Sequence, residues 1–143
     1  MKIRFVMLGK TRRPEIRALL DDYLARIGRF ADVELTELRE DSPAAARKLA
    51  LDPAAAVALL DDAGKSQNSR QFAGWLGATR DAGTRQIIFL CGASDGFPET
   101  IRNRAQQKLS LSPLTFSHEL ARVMLAEQVY RAFAILAGHP YPK

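Results

Sequence analysis

The chain has 143 residues, of which 47% are hydrophobic and 26% charged, and it carries a net charge of +5. That length suits one domain, residues 1–143, with a core of its own, and the composition is that of a globular protein rather than a disordered one. No stretch approaches the roughly 20 apolar residues of a membrane span, the apolar run near Met1 is too short for a secretory signal, and the single Cys91 cannot build a disulfide framework, so a cytoplasmic protein without membrane association is expected.

In chain order, residues 2–8 alternate side chains about Ile3, Phe5 and Met7 and read as a strand ending at the turn residue Gly9. Pro14 suits a first helical turn, and Ile16, Leu19, Leu20, Tyr23, Leu24 and Ile27 keep the spacing of one helical face until Gly28, which predicts a helix over 14–27. The segment VELTEL, residues 33–38, alternates as a second strand. Ser42 and Pro43 open an alanine-rich helix expected to run to about Leu51. Residues 54–60 form a continuous apolar run between Pro53 and the Asp61, Asp62 pair, as in a strand buried on both faces.

Residues 64–69 read as a polar loop, followed by a helix from Ser69 that carries Phe72, Trp75 and Leu76 and ends near Gly83. QIIFL, residues 86–90, is the next buried strand, and Pro98 starts a helix expected to reach about Gln107. Residues 109–115 alternate Ser with Leu and break at Pro113, so their N–H groups cannot all enter a ladder and some are free for a ligand. Ser117 can cap a helix running from His118 to about Ala137, whose apolar residues leave no wholly polar face; part of its cover is expected from a second copy of the chain. Strands and helices alternate, which predicts an α/β fold with a mostly parallel sheet and crossover helices on both faces.

Ligands in open α/β sheets sit beyond the carboxyl ends of the strands, which directs attention to LLDDAGKS, FLCGASDGFP and LSLSPLTFSH. Gly92 follows a buried strand and Gly96 precedes a helix, so the backbone between them can approach a ligand; plain turn chemistry fits the same pair. The pattern is neither GxGxxG nor a Walker loop. GxSxG, HExxH and CxxC are absent, and His118 and His139 are too few for a multi-histidine metal site within one chain. Cys91 reads as a buried inert thiol, and Asp61 and Asp62 as a strand terminator, a ligand acceptor, or an acid and base pair. Basic residues gather at Lys2, Arg4, Lys10, Arg12, Arg13 and Arg17 and again at Arg102, Arg104 and Lys108, which is compatible with a polyanion. In the tail, His139, Tyr141 and Lys143 offer stacking, hydrogen bonding and charge between Pro140 and Pro142, and a frayed terminus is the competing description.

Taken together, SLSPLT, the His118-centred step, RVMLAEQVYRA and HPY, in that order, resemble the signature stretches of the ribosomal RNA large-subunit methyltransferase H family, of the knotted SPOUT class. The resemblance runs the length of the chain and is weakest over residues 39–52. It implies transfer of a methyl group from S-adenosylmethionine to N3 of a pseudouridine in 23S rRNA of the assembled ribosome, a homodimer, and a C-terminal trefoil knot. Leu60, Gly92, Leu111, Ser112, Pro113, Leu114, Thr115 and Phe116 match the family's cofactor-binding segments, and a side chain at Gly92 is expected to intrude on the cofactor. His118, Arg122, Tyr130, Arg131, His139 and Tyr141 match the stretch used near the substrate. Two departures stand out: Ala93, Ser94 and Asp95 lie where a second glycine and Pro-Glu are expected, and Pro142 lies where the family often has a further His.

No metal is required for such a transfer. A neutral histidine is a natural acceptor for the N3 proton near pH 7, and His118 and His139 both qualify. Arg122 or Arg131 could stabilise charge on the adjacent carbonyl oxygens, while Glu127 and Arg131, four residues apart, also fit an ordinary intrahelical pair. A non-catalytic basic RNA-binding module and a nucleotide- or flavin-binding α/β protein are the alternative classes.

Overall fold

Five strands, Lys2–Met7 (β1), Asp32–Glu37 (β2), Ala56–Ser66 (β3), Gln86–Cys91 (β4) and Gln107–Ser110 (β5), form one sheet in the order β2-β1-β4-β3-β5. Every pairing is parallel. The helices are Pro14–Ile27 (α1), Pro43–Ala46 (α2), Ser69–Asp81 (α3), Glu99–Arg102 (α4) and His118–Leu136 (α5). This is a computed structural model, and it describes residues 1–92 and 96–141.

Side-chain alternation sorts the strands between two cores. Ile3, Phe5 and Met7 of β1, Ala58 of β3 and Ile87 and Phe89 of β4 face α1, α3 and α5, where Phe72, Leu76, Leu125, Val129 and Phe133 complete one apolar cluster. Val6, Leu8, Val57, Leu59, Ile88 and Leu90 face the other way, under the short α2 and α4, with Ala46, Phe97 and Ile101. Central strands β1 and β4 are therefore buried on both faces, which is why QIIFL has no polar alternation.

The long helices follow their sequence signals. Pro stands in the first turn of α1, and Asn68 and Gln71 form a reciprocal capping box at α3. The Ser117 side chain accepts from the Leu120 N–H at the start of α5. Buried residues of α5 include Leu125, Ala126, Val129, Ala132 and Phe133, packed between α1 and α3. Its opposite side is open: Leu120 and Met124, one turn apart, are 50% and 44% exposed, and Leu114 in the preceding loop is 74% exposed.

Four boundaries differ from the sequence expectation. The helix expected over 43–51 stops at Ala46, and the chain beyond it runs irregularly, held by Arg4 on the carbonyl of Ala50 and by Arg104 on those of Leu51 and Asp52. The helix expected to reach Gln107 stops at Arg102, because Gln106 pairs with β3 through its backbone N–H and its side-chain oxygen, both on Val57. The front of the loop expected over 109–115, Leu109 and Ser110, lies instead in the edge strand β5, Gln107–Ser110. Finally β3 does not end at Leu60 but runs to Ser66, with an excursion: Leu60 and Lys65 both stand opposite Leu109, so residues 61–64 bulge out of the ladder.

Gly64 closes that bulge. A Cβ there would lie 2.7 Å from the Lys108 carbonyl oxygen, which a side chain cannot do without moving β5. Gly64→Ala should therefore lower stability by about 1–3 kcal/mol, read as a drop in the urea midpoint with an unchanged slope.

Candidate functional site

The bulge of β3 and the carboxyl ends of β4 and β5 open onto one cavity of about 290 Å³, near the lower end of the usual range for small-molecule sites. Its wall comprises Leu60, Asp61, Asp62, Cys91, Gly92, Leu111, Ser112, Leu114, Thr115, Phe116, His118, Ala121 and Arg122. Size does not distinguish it, since a groove of about 440 Å³ lies beside Arg102 and Lys108. Its position does: three separate strand-end segments and the first turn of α5 converge there.

Each segment is held by identifiable contacts. The bulge brings Asp61 and Asp62 to the rim, where the Thr115 hydroxyl donates to the Asp62 carboxylate (3.0 Å) and the buried Ser110 hydroxyl to its carbonyl (3.1 Å). The loop after β5 is thereby tied to the bulge of β3. Ser112 folds it further by accepting from the Leu114 N–H. Gly92 has φ of +147°, a conformation that L side chains rarely adopt. A Cβ at Gly92 would lie 2.6 Å from a methyl carbon of Leu8, and one at Gly96 equally close to the same atom. A side chain at Gly92 would strike Leu8, which follows β1 behind the wall, and so displace the loop as a whole.

The start of α5 is fastened to the turn after β1. Arg122 is 3% exposed, and its guanidinium donates to the carbonyls of Leu8 (2.6 Å) and Gly9 (2.9 Å), to the Thr11 hydroxyl (2.7 Å) and to the Glu37 carboxylate (3.3 Å). Glu37, the last residue of β2, also accepts from the N–H and hydroxyl of Thr11 and from Arg17. Burial alone would raise the Glu37 carboxyl, but the Thr11 and Arg17 hydrogen bonds outweigh it and hold the carboxyl below the usual carboxylate range. Glu119 accepts from the N–H groups of Arg12 and Arg13, which leaves those basic side chains on the loop beside the cavity. Burial pushes the Cys91 thiol up to about 12, so it stays protonated and inert.

Of the residues singled out from sequence, Leu60, Gly92, Leu111, Ser112, Leu114, Thr115, Phe116, His118 and Arg122 come together in this wall, while Pro113 stands outside it. His139 and Tyr141 are elsewhere. His139 follows the C-terminal end of α5, about 28 Å from His118 at 1.5 Å per residue, while Tyr141 folds back onto Glu127, Tyr130 and Arg131, roughly 14 to 20 Å along the helix from His118. Tyr141 packs on Tyr130 with ring centroids 4.6 Å apart, donates to Glu127 (2.8 Å) and lies under the guanidinium of Arg131. Burial, then Tyr23 and Glu127, raise its phenol, which remains a proton donor. Arg131 pairs with Glu127 at 2.9 Å, the ordinary intrahelical bridge. The departures at Ala93, Ser94 and Asp95 and at Pro142 lie outside the described residues.

Three residues with roles here carry no sequence signal: Thr11, Glu37 and Asp41. The last lies in the connection between β2 and α2, with Oδ2 3.2 Å from the His118 Nδ1. Their partners are far along the chain, and only the buried position of an arginine in α5 hints that an anion must meet it.

Against known proteins, the family profile described as "Predicted SPOUT methyltransferase" matches residues 1–142. The chain belongs to the SPOUT methyltransferases. Within that family it is 43% identical to a Ribosomal RNA large subunit methyltransferase H of Solibacter usitatus (strain Ellin6076), over 99% of both chains. It is 42% identical to the protein of the same name from Maricaulis maris (strain MCS10), covering 99% of this chain and 98% of that one. The fold is similar to that of a probable methylase family protein from Haemophilus influenzae Rd KW20, with a TM-score of 0.55, 10% identity, and coverage of 99% of this chain and 70% of the other. In this SPOUT chain the rim of the cavity is anchored through Arg122 and Glu37 to the first two strands.

The Glu37 network gives a pH prediction. A carboxyl whose folded pKa is depressed stabilises the fold above its unfolded value and loses that contribution as pH falls through the folded value. Urea midpoints of the wild type should therefore fall steeply below about pH 5, whereas Glu37→Gln should start about 1–3 kcal/mol less stable at neutral pH and show a flatter acid limb.

Proposed function

We propose that this protein, one domain over residues 1–143, methylates N3 of a pseudouridine in 23S rRNA of the assembled ribosome. It does so in the cytoplasm as a homodimer, with S-adenosylmethionine as donor and a trefoil knot formed by the chain after β4. The observation that carries the reading is the convergence of Leu60, Gly92 and the 111–116 loop, three segments far apart in the chain, on one cavity with His118. Family membership over residues 1–142 supports the reaction class.

The wall suits the donor. Leu60, Leu111, Leu114 and Phe116 offer apolar surface to a flat nucleoside, and Asp61 and Asp62 give the negative field that a sulfonium favours. Leu60, Gly92 and the 111–116 loop would hold S-adenosylmethionine, which when bound supplies an electrophilic methyl group. The chain's own tasks are to align the acceptor, exclude water and accept the N3 proton. His118 takes that proton, because its half-exposed imidazole lines the cavity whereas His139 of the same chain is distant. Arg122 holds the α5 first turn against β1 rather than meeting the substrate, since its donors are committed to Leu8, Gly9, Thr11 and Glu37.

A second copy reconciles the tail with the site. Leu120 and Met124 leave an apolar stripe on α5 for a partner to cover, and the aromatic and basic groups around Tyr141 could then reach the other subunit's cavity. The side chains of Lys10, Arg12 and Arg13, beside the rim, would meet phosphates.

Tritiated methyl incorporation into ribosomes lacking the mark tests the reading directly. Wild-type protein should label 23S rRNA; Gly92→Val should lose both labelling and calorimetric binding of S-adenosylmethionine. A wild type that binds ribosomes but gives no heat with S-adenosylmethionine would instead establish a non-catalytic RNA-binding module. Neutralising Arg12 and Arg13 should weaken ribosome binding and reduce the slope of log affinity against log salt by about 1 for each phosphate left without its arginine.

A further inference from the structure

The geometry points to Asp41 as a positioning residue that fixes the tautomer of His118; this rests on His118 as the proton acceptor proposed above. His118 is the first residue of α5, with its ring in the cavity wall and its Nδ1 3.2 Å from Asp41 Oδ2. A neutral imidazole has a single N–H, and a carboxylate at Nδ1 accepts it there. Nε2 is then left with its lone pair, as a base requires. The substrate N–H proton moves to Nε2, the bond to its nitrogen breaks, and the imidazolium formed stands beside the Asp41 carboxylate until the proton leaves to water.

Asp41 is not loosely placed. The next residue, Ser42, caps α2 by accepting from the Ala45 N–H, which sets the direction of the connection from β2. The carboxylate passes close to the turn after β4: a Cβ on Gly96 would lie 2.9 Å from Asp41 Oδ1. Oδ2 is the oxygen turned to His118. Among the described residues, the charged side chains that line the cavity with His118 are Asp61, Asp62 and Arg122; Thr115 occupies Asp62, and Arg122 is committed to the turn after β1. None of these three pairs with the imidazole, whereas Asp41, beside the cavity, does. A pair this exposed adds little to stability, so its loss is expected to show in the reaction rather than in folding.

The test uses intact protein, S-adenosylmethionine and ribosomes lacking the mark, in single turnover, with nitrogen NMR of the His118 ring on the free protein. Wild type should show the Nδ1–H tautomer. Asp41→Asn presents an amide donor to Nδ1 and should shift the ring toward Nε2–H, slowing transfer by about 10- to 100-fold, within the range a positioned base contributes. Calorimetric affinity for S-adenosylmethionine should stay within about twofold. Asp41→Ala should be milder than the near-isosteric Asn, an order that a merely structural role would reverse, and Asp41→Glu should recover part of the rate. A wild-type ring already in the Nε2–H form, or Asp41→Asn transferring at the wild-type rate while His118→Ala is inactive, overturns the role of Asp41. If His118→Ala transfers normally, the reading of His118 as acceptor falls first and takes this inference with it.

Discussion

A guanidinium buried in the first turns of α5 has to find acceptors, and Arg122 finds them at the end of the first strand. Its partners are two carbonyls of the turn after β1, a hydroxyl in that same turn, and the last carboxylate of β2. Removing one partner from such a buried arrangement leaves an uncompensated charge, which is far more costly than the arrangement is beneficial. The seat for α5 therefore exists only when β1 and β2 are already paired in register, with Met7 opposite Glu37. A residue near the end of the chain is in this way made dependent on a contact formed by its first forty residues.

From that seat the site follows. Once the first turn of α5 is fixed beside Leu8 and Gly9, the 111–116 loop must cross the rim from the edge strand β5 toward the middle of the sheet, and its Thr115 meets the bulge of β3 on the way. Leu8, packed in the core on the opposite face, rises under Gly92 and Gly96 and sets the height of the loop after β4. The cavity is thus the space left between a loop stretched over a rim and a sheet end that a single leucine supports. Such a wall is made largely of backbone and small or apolar side chains, so its shape is set by packing rather than by any one polar contact.

Local signals made the long elements legible. Pro14, Ser69 and Ser117 mark helix starts that the structure keeps, and the apolar runs of β3 and β4 are buried on both faces as their composition implies. The short elements were not legible, because their limits are decided by partners far along the chain. Arg4 and Arg104 hold the carbonyls of Ala50 and Asp52 in the irregular stretch after α2, and Gln106 ends α4 by joining β3. At the site, the glycines and the Ser-Leu loop announced themselves, and resemblance added His118 and Arg122. Asp41, Glu37 and Thr11 stayed silent, since a hydroxyl in a turn or a carboxylate in a loop or at a strand end reads as a solvated group until its partner, up to 111 residues away for Thr11, is placed beside it.

One chain holds two chemically distinct ends that cannot meet within it. At the first turn of α5 lie the imidazole and the cavity; in its second half lie Tyr130 and Arg131 with Tyr23, Arg26 and Tyr141 packed around them, an aromatic and cationic group suited to stacking on a nucleobase. Roughly 18 to 20 Å of helix separates that group from the imidazole. A second copy related by a two-fold axis across the Leu120 and Met124 stripe would run its own α5 antiparallel to the first, so that the aromatic end of each helix would stand near the imidazole end of the other. That single operation would cover the exposed stripe and complete both sites at once. It would also account for a helix with no wholly polar face: one side is packed on α1 and α3, and Leu120 and Met124 on the other would be covered by the second copy.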